Sequence, residues 1–211
     1  MAVPDKSIDP RLFSSAKAEF LKNGFLKAEL KTICENAGIT TGALYKRYKG
    51  KEELFCAVVK DTVDAINAFI RQRTLPELSA LTNEEICHSW DMNESYTLQL
   101  FRMLWEHHDG FVILISKAAG TCYENYQHTF VSCMSEAYEK YYNEAKRRGL
   151  AKPDISAAEL HVLCTSFWTS VYEPIIHGMS WEEIEKHCKL MCQFFNWTDT
   201  ILLTERREQN V

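Results

Sequence analysis

The chain lacks most of the signatures that would mark an enzyme or an exported protein. Its 211 residues contain no glycine-rich phosphate loop, no strand-turn-helix nucleophile and no cysteine–histidine pairing at zinc-ligand spacing. No apolar run is long enough to span a bilayer. The first residues, Met1 to Lys6, form no apolar signal core, so a cytoplasmic location is expected. The eight cysteines show no paired short spacings and read as reduced packing residues. No stretch alternates apolar and polar residues for long, which excludes a sheet protein, and there is no internal repeat or low-complexity segment. With 46% hydrophobic and 25% charged residues, what remains is an ordinary globular, helical chain. No cofactor and no metal are expected.

The most informative segment runs from Leu30 to Phe55. Leu30, Ile33, Cys34 and Ala37 recur at i, i+3, i+4 and i+7, one apolar stripe of a helix. Gly38 follows where a left-handed terminating residue belongs. Thr40 or Thr41 can cap a second short helix by accepting one of its unpaired first-turn N–H groups. Helix, short glycine turn, helix is the helix-turn-helix pattern, whose second helix enters the DNA major groove. Leu44 and Tyr48 are spaced to pack back. Thr40, Thr41, Gly42, Tyr45, Lys46, Arg47 and Lys49 are then the candidate DNA-binding residues, offering hydroxyls, positive charge and close backbone approach. Lys51 joins them at the start of the next helix, where unpaired N–H groups favour an anion.

Charge is distributed to match. The net charge is −5, yet residues 1–60 hold 11 Lys/Arg against 7 Asp/Glu and the remainder holds 13 against 22. A basic front and an acidic body direct the front toward a polyanion.

Residues 8 to 60 resemble the N-terminal domain of the tetracycline-repressor (TetR) family. The resemblance runs through Ala16, Phe20, Gly24-Phe25, Leu30, Ile33, Ala37-Gly38-Ile39, Gly42 to Tyr45, Tyr48 and Lys51 to Phe55. Two departures stand out. Tyr48 replaces a common Phe, and Lys46-Arg47 replaces a frequent aromatic–His pair, which bears on the operator read. The resemblance implies an all-α fold: an N-terminal three-helix DNA-binding domain with the helix-turn-helix over 1–50, a linking helix at about 51–73, and a helical effector-binding and dimerisation domain over 74–211. It also implies a repressor that binds a palindromic operator as a homodimer and is released by a small apolar or aromatic effector. Trp105, Tyr123, Tyr126 and Phe167 are the expected effector contacts, chosen from the aromatics of the middle helices. The competing reading is an all-helical small-molecule-binding protein or enzyme with no DNA role.

The rest of the chain reads as helices. Asp9-Pro10 starts the first, which Gly24 ends. The helix from Lys51 is expected to reach about Arg73 and stop before Pro76. Thr82/Glu85, Ser156/Glu159 and Ser180/Glu183 have capping-box spacing and start helices near 83, 157 and 181. A long helix is expected over 120–148, a terminal one over 181–203, and a polar tail from Glu205. Leu190, Phe194, Trp197 and Ile201 form a second apolar face on the terminal helix, which points to a partner subunit. The expected dimer interface is therefore Phe167, Val171, Ile175, Phe194, Trp197 and Ile201. His107-His108-Asp109 is assigned to a helix end near Gly110. Cys188 and Cys192, like His161 and Cys164, are assigned to packing.

Overall fold

Local chemistry sets the N-terminal helices of the computed structural model, which describes residues 8–72, 77–152 and 154–203. The expected end of the linking helix at 73–76 and the tail from Glu205 lie outside the described residues. α1 spans Ile8–Lys27 and is interrupted at Gly24, whose φ of 67° only glycine adopts readily. α2 spans Leu30–Ala37 and ends on Gly38 in the left-handed conformation, with the N–H groups of Gly38 and Ile39 returned to the carbonyls of Glu35 and Cys34. α3 is one short turn, Thr41–Tyr45, and α4 runs Lys51–Gln72. The chain continues through a 3-10 turn at Leu78–Ala80, then α5 (Asn83–His88), α6 (Glu94–Glu106), α7 (His108–Ser116), α8 (Tyr126–Arg147), α9 (Ala157–Ile176), α10 (Trp181–Phe194) and α11 (Trp197–Ile201).

All three expected capping boxes form. Thr82, Ser156 and Ser180 each accept from the backbone N–H three residues on, while Glu85, Glu159 and Glu183 reach back. Two expected helices differ from the structure. The helix expected from 120 begins at Tyr126, because Gly120 sits at φ 82° and Thr121 turns back to donate its hydroxyl to the Ala118 carbonyl. The terminal helix breaks at Phe195–Asn196, where ψ values of 67° and 76° leave the helical region and the Asn196 side chain caps α11 by accepting from Asp199 N–H.

The described residues form two compact units, one of 8–69 and 103–127, the other of 70–72, 77–102, 128–152 and 154–203. In the first, Leu12, Phe20, Ile33, Leu44, Leu54 and Phe55 are fully buried. Phe20 and Phe25 meet Phe55 edge-on at 5.0 and 5.5 Å. Buried Glu19 accepts from Asn23 Nδ2 at 2.8 Å and Glu29 N–H at 3.2 Å, fixing the α1–α2 corner. α7 joins this unit through Phe111, Ile113 and Leu114. Gly110 lies inside α7 and terminates nothing: the helix break is at His107, and a Cβ at 110 would lie 2.0 Å from the Thr62 hydroxyl of α4. In the second unit Leu160, Cys164, Phe167, Val171 and Ile175 turn the apolar side of α9 inward, and Ile184, Cys188 and Met191 of α10 are buried as well. Arg148 joins the end of α8 to the 3-10 turn, donating to the carbonyls of Leu78 and Leu81 at 2.8 and 2.6 Å and to Glu144 at 2.6 Å. Among the described residues no helix is long and apolar enough to cross a membrane.

Candidate nucleic-acid interface

The α2–turn–α3 segment is a rigid presenting element. Thr40, not Thr41, is the cap: its hydroxyl accepts from Ala43 N–H at 3.2 Å. That anchors α3 so that Leu44 is fully buried while Thr41, Gly42, Tyr45 and Lys46 face solvent. Tyr45 is 58% exposed, a large aromatic left without cover by its own unit. Tyr48 packs edge-on to Phe13 at 6.3 Å, and its burial pushes the phenol pKa up. Lys49 is exposed, with its backbone N–H donating to Glu53 at 2.6 Å.

Two of the eight candidate residues are held internally. Arg47 donates from Nε to Asp9 Oδ1 at 2.7 Å and from Nη1 to the Ala43 carbonyl at 3.3 Å, with its side chain 18% exposed. Lys51 donates from Nζ to the carbonyls of Leu26 and Ala28 at 3.1 and 2.9 Å and lies over the Phe25 ring at 4.7 Å. Its ammonium thus closes the end of α1, where carbonyls are otherwise unpaired. The outward chemistry of the unbound protein is therefore Thr41, Gly42, Tyr45, Lys46 and Lys49.

The four aromatics expected at an effector site fall in different units. Trp105, Tyr123 and Tyr126 belong to the first, Phe167 to the second. Tyr123 and Tyr126 meet edge-on at 5.9 Å, and burial pushes the Tyr126 phenol to about 12. Trp105 stands against His108 at 6.2 Å. Phe167 is buried among Trp168, Phe195 and Trp197, with ring centroids 5.2 to 6.2 Å apart. The first unit also has a cleft of about 300 Å³ lined by Lys17, Val58, Asp61, Thr62 and residues 106–110. None of the four expected aromatics lines it, and its walls are mainly polar and charged.

Of the six residues expected at a dimer interface, Phe194 is 78% exposed and the other five are core residues of their own unit. Phe167, Val171 and Ile175 share one stripe of α9, and that stripe faces inward. Trp197 and Ile201 would continue the Leu190–Phe194 face only if the helix were unbroken; the turn at Asn196 rotates them into the core. The exposed apolar positions on these two helices are Val162 on α9 and Leu190 and Phe194 on α10, at 61%, 64% and 78%, with Met179 and Leu203 less exposed on flanking segments. His187 Nε2 meets the Ser170 carbonyl at 2.8 Å, linking α10 to α9. Val162 escaped the sequence reading because it stands outside the main stripe, which was itself the available signal.

Cys188 and Cys192 carry no metal-binding set: among the described residues no group of three or more His, Cys, Asp and Glu side chains is placed to hold an ion. Burial, then the neighbouring Cys192, pushes the Cys188 thiol to about 12, which suits a packed thiol.

Residues 12–58 match the family described as bacterial regulatory proteins, tetR family. The whole chain is similar in fold to three solved regulators. The ketosteroid transcriptional regulator of Mycobacterium tuberculosis is 16% identical, with 96% of this chain and 97% of that one covered and a TM-score of 0.62. A TetR-family member from Streptomyces coelicolor is 15% identical over 92% and 91%, TM-score 0.59. A TetR regulator from Chloroflexus aurantiacus is 15% identical over 93% and 97%, TM-score 0.58.

Proposed function

We propose, from the premise that this chain is a TetR-family transcriptional regulator, that it is a repressor binding a palindromic operator as a homodimer. The observation that carries the reading is the capped α3, which buries Leu44 and turns Thr41, Gly42, Tyr45 and Lys46 outward. Lys46 and Thr41 read base edges, and Tyr45 and Lys49 hold phosphates. Thr40 orders the turn. Arg47 and Lys51 reach phosphate by exchanging their internal partners for it, Asp9 in one case and the Leu26 and Ala28 carbonyls in the other. The second subunit packs on Leu190, Phe194 and Val162, because a cluster of this kind is poorly left to water.

Release follows from an effector that binds one conformation better than the other. Trp105, Tyr123 and Tyr126 of the first unit remain the favoured contacts for an apolar or aromatic effector. An apolar effector agrees in kind with the ketosteroid named for the mycobacterial neighbour. Displacement of α4, which begins six residues after α3 ends, is the coordinate that changes the spacing of the two recognition helices. Successive major grooves lie about 34–36 Å apart, so a change in spacing mismatches both half-sites.

Selection of bound sequences from random double-stranded DNA tests the reading. Enrichment of an inverted repeat is expected; enrichment of nothing, or of a site without symmetry, overturns it.

A further inference from the structure

Among the described residues, Cys56 Sγ of α4 and Cys122 Sγ of the turn between α7 and α8 lie 3.6 Å apart, although 66 residues separate them in sequence. Both belong to the first unit. The turn is held onto α4 by Cys122 N–H donating to Glu52 Oε1 at 3.1 Å, and onto the end of α1 by Phe25 N–H donating to the Lys117 carbonyl at 2.9 Å. The two sulfurs are therefore presented to one another by a pinned backbone. A disulfide needs a sulfur separation of about 2.0 Å, so closing the pair takes a movement of order 1.5 Å, within reach of small side-chain rotations.

The other cysteines offer a contrast. Cys34, Cys164 and Cys188 are buried, and Cys133 is exposed. Of the pair, Cys122 is exposed and Cys56 is half-buried. Cys87 and Cys192 are half-buried, and Cys192 meets the buried Cys188, so among the described residues it is the Cys56–Cys122 contact that includes an exposed thiol.

We infer that Cys56 and Cys122 form a reversible disulfide, a thiol-modification site at which a low-molecular-weight disulfide is the oxidant. The exposed Cys122 thiolate attacks one sulfur of that reagent, RSSR. The reagent's S–S bond breaks, a Cys122–S–SR bond forms, and the departing thiolate takes up a proton as RSH. The Cys56 thiol, losing its proton, then attacks the Cys122 sulfur and expels the second RSH. Two protein thiols are oxidised to one disulfide, and one RSSR is reduced to two RSH. Burial, reinforced by the contact with Cys122, pushes the Cys56 thiol up to about 11, which fits Cys56 as the second and slower partner. The bond staples the α7–α8 turn to the second turn of α4.

The test is equilibration of the intact folded chain in mixtures of oxidised and reduced glutathione, acid quenching, and peptide mapping by mass spectrometry. The expected product of the native protein is a Cys56–Cys122 linkage that reduced glutathione reverses, with glutathione retained on Cys133. In Cys56→Ser, Cys122 should instead keep its glutathione. In Cys122→Ser, Cys56 should stay a thiol under the same conditions. The oxidised native protein should also melt several degrees higher than the reduced one, a shift absent from both variants. Stable glutathione on Cys122 of the native protein without the 56–122 linkage overturns the inference. So does a linkage that appears only in denaturant, or pairing that engages Cys34, Cys164 or Cys188.

Discussion

The surface of α3 and the outer flank of the α9–α10 hairpin are both left open by their own units, and they are open in opposite ways. Around α3 the exposed set is Thr41, Tyr45, Lys46 and Lys49; on the hairpin it is Val162, Leu190 and Phe194. The first set has donors and positive charge to offer a polyanion. The second has only apolar area, which gains by meeting another apolar surface. A burial list alone would rank the two patches alike. The side-chain chemistry is what separates a face suited to a polyanion from one suited to another apolar surface.

The strongest way to break this contrast is to place charge on the hairpin. Leu190→Glu with Phe194→Glu should abolish the dimer in sedimentation equilibrium while leaving the helical circular dichroism spectrum unchanged. Operator affinity should fall about 10²–10⁴-fold, since the second half-site no longer adds its binding. A doubly charged variant that remained dimeric would place the interface elsewhere.

Next in size is the support behind α3. Leu44 is fully buried, so Leu44→Ala should cost about 2–5 kcal/mol of stability in the first unit, read as a lowered urea midpoint. Loss of DNA binding should track that unfolding, whereas Trp197→Ala in the second unit should leave half-site recognition by the folded fraction intact.

The contrast sharpens with the lysines. Lys46→Ala should alter preference at particular bases by about 1–3 kcal/mol in a binding-site selection. Lys51→Ala should act on all sequences alike and also lower stability by about 1–3 kcal/mol, because its ammonium closes carbonyls at the end of α1. A stable Lys51→Ala protein with altered base preference would reverse these roles.

The smallest effect is a pH dependence in the second unit. Hydrogen bonds from Arg147 and Arg148 hold the Glu144 carboxyl at about 2, below its ordinary 4.5. A depressed folded value means the contribution is complete above 4.5 and is lost as pH falls toward 2. Urea midpoints of the native protein and Glu144→Gln should therefore converge across that window. Curves that stay parallel would show that Arg148 acts through the carbonyls of Leu78 and Leu81 and not through Glu144.

Legibility in the sequence followed the range of the interaction. Gly38 and the three capping boxes depend on neighbours within a few residues, and each formed as its spacing implied, while spacing left the α3 cap open between Thr40 and Thr41. The all-helical fold was readable for the same reason. The inward turn of Phe167, Val171 and Ile175 was not, because a stripe does not say which neighbour it meets. The break at Asn196 was missed because Asn is tolerated within helices, and here its cap of Asp199 was one option among several. The engagement of Arg47 with Asp9 spans 38 residues, a distance at which local pattern says nothing.

The close approach at Gly110 governs how the first unit can move. With a virtual Cβ only 2.0 Å from the Thr62 hydroxyl, α7 and α4 mesh like adjacent gear teeth, backbone against side chain with no slack between them. Close-packed surfaces of this kind resist sliding and pass displacement on. α7 therefore bears directly on α4, which starts at Lys51, whose ammonium grips the end of α1. An added methyl at position 110 would have to displace the Thr62 side chain or shift α7 against α4, putting the end that carries Lys51 out of gear with the rest of its unit.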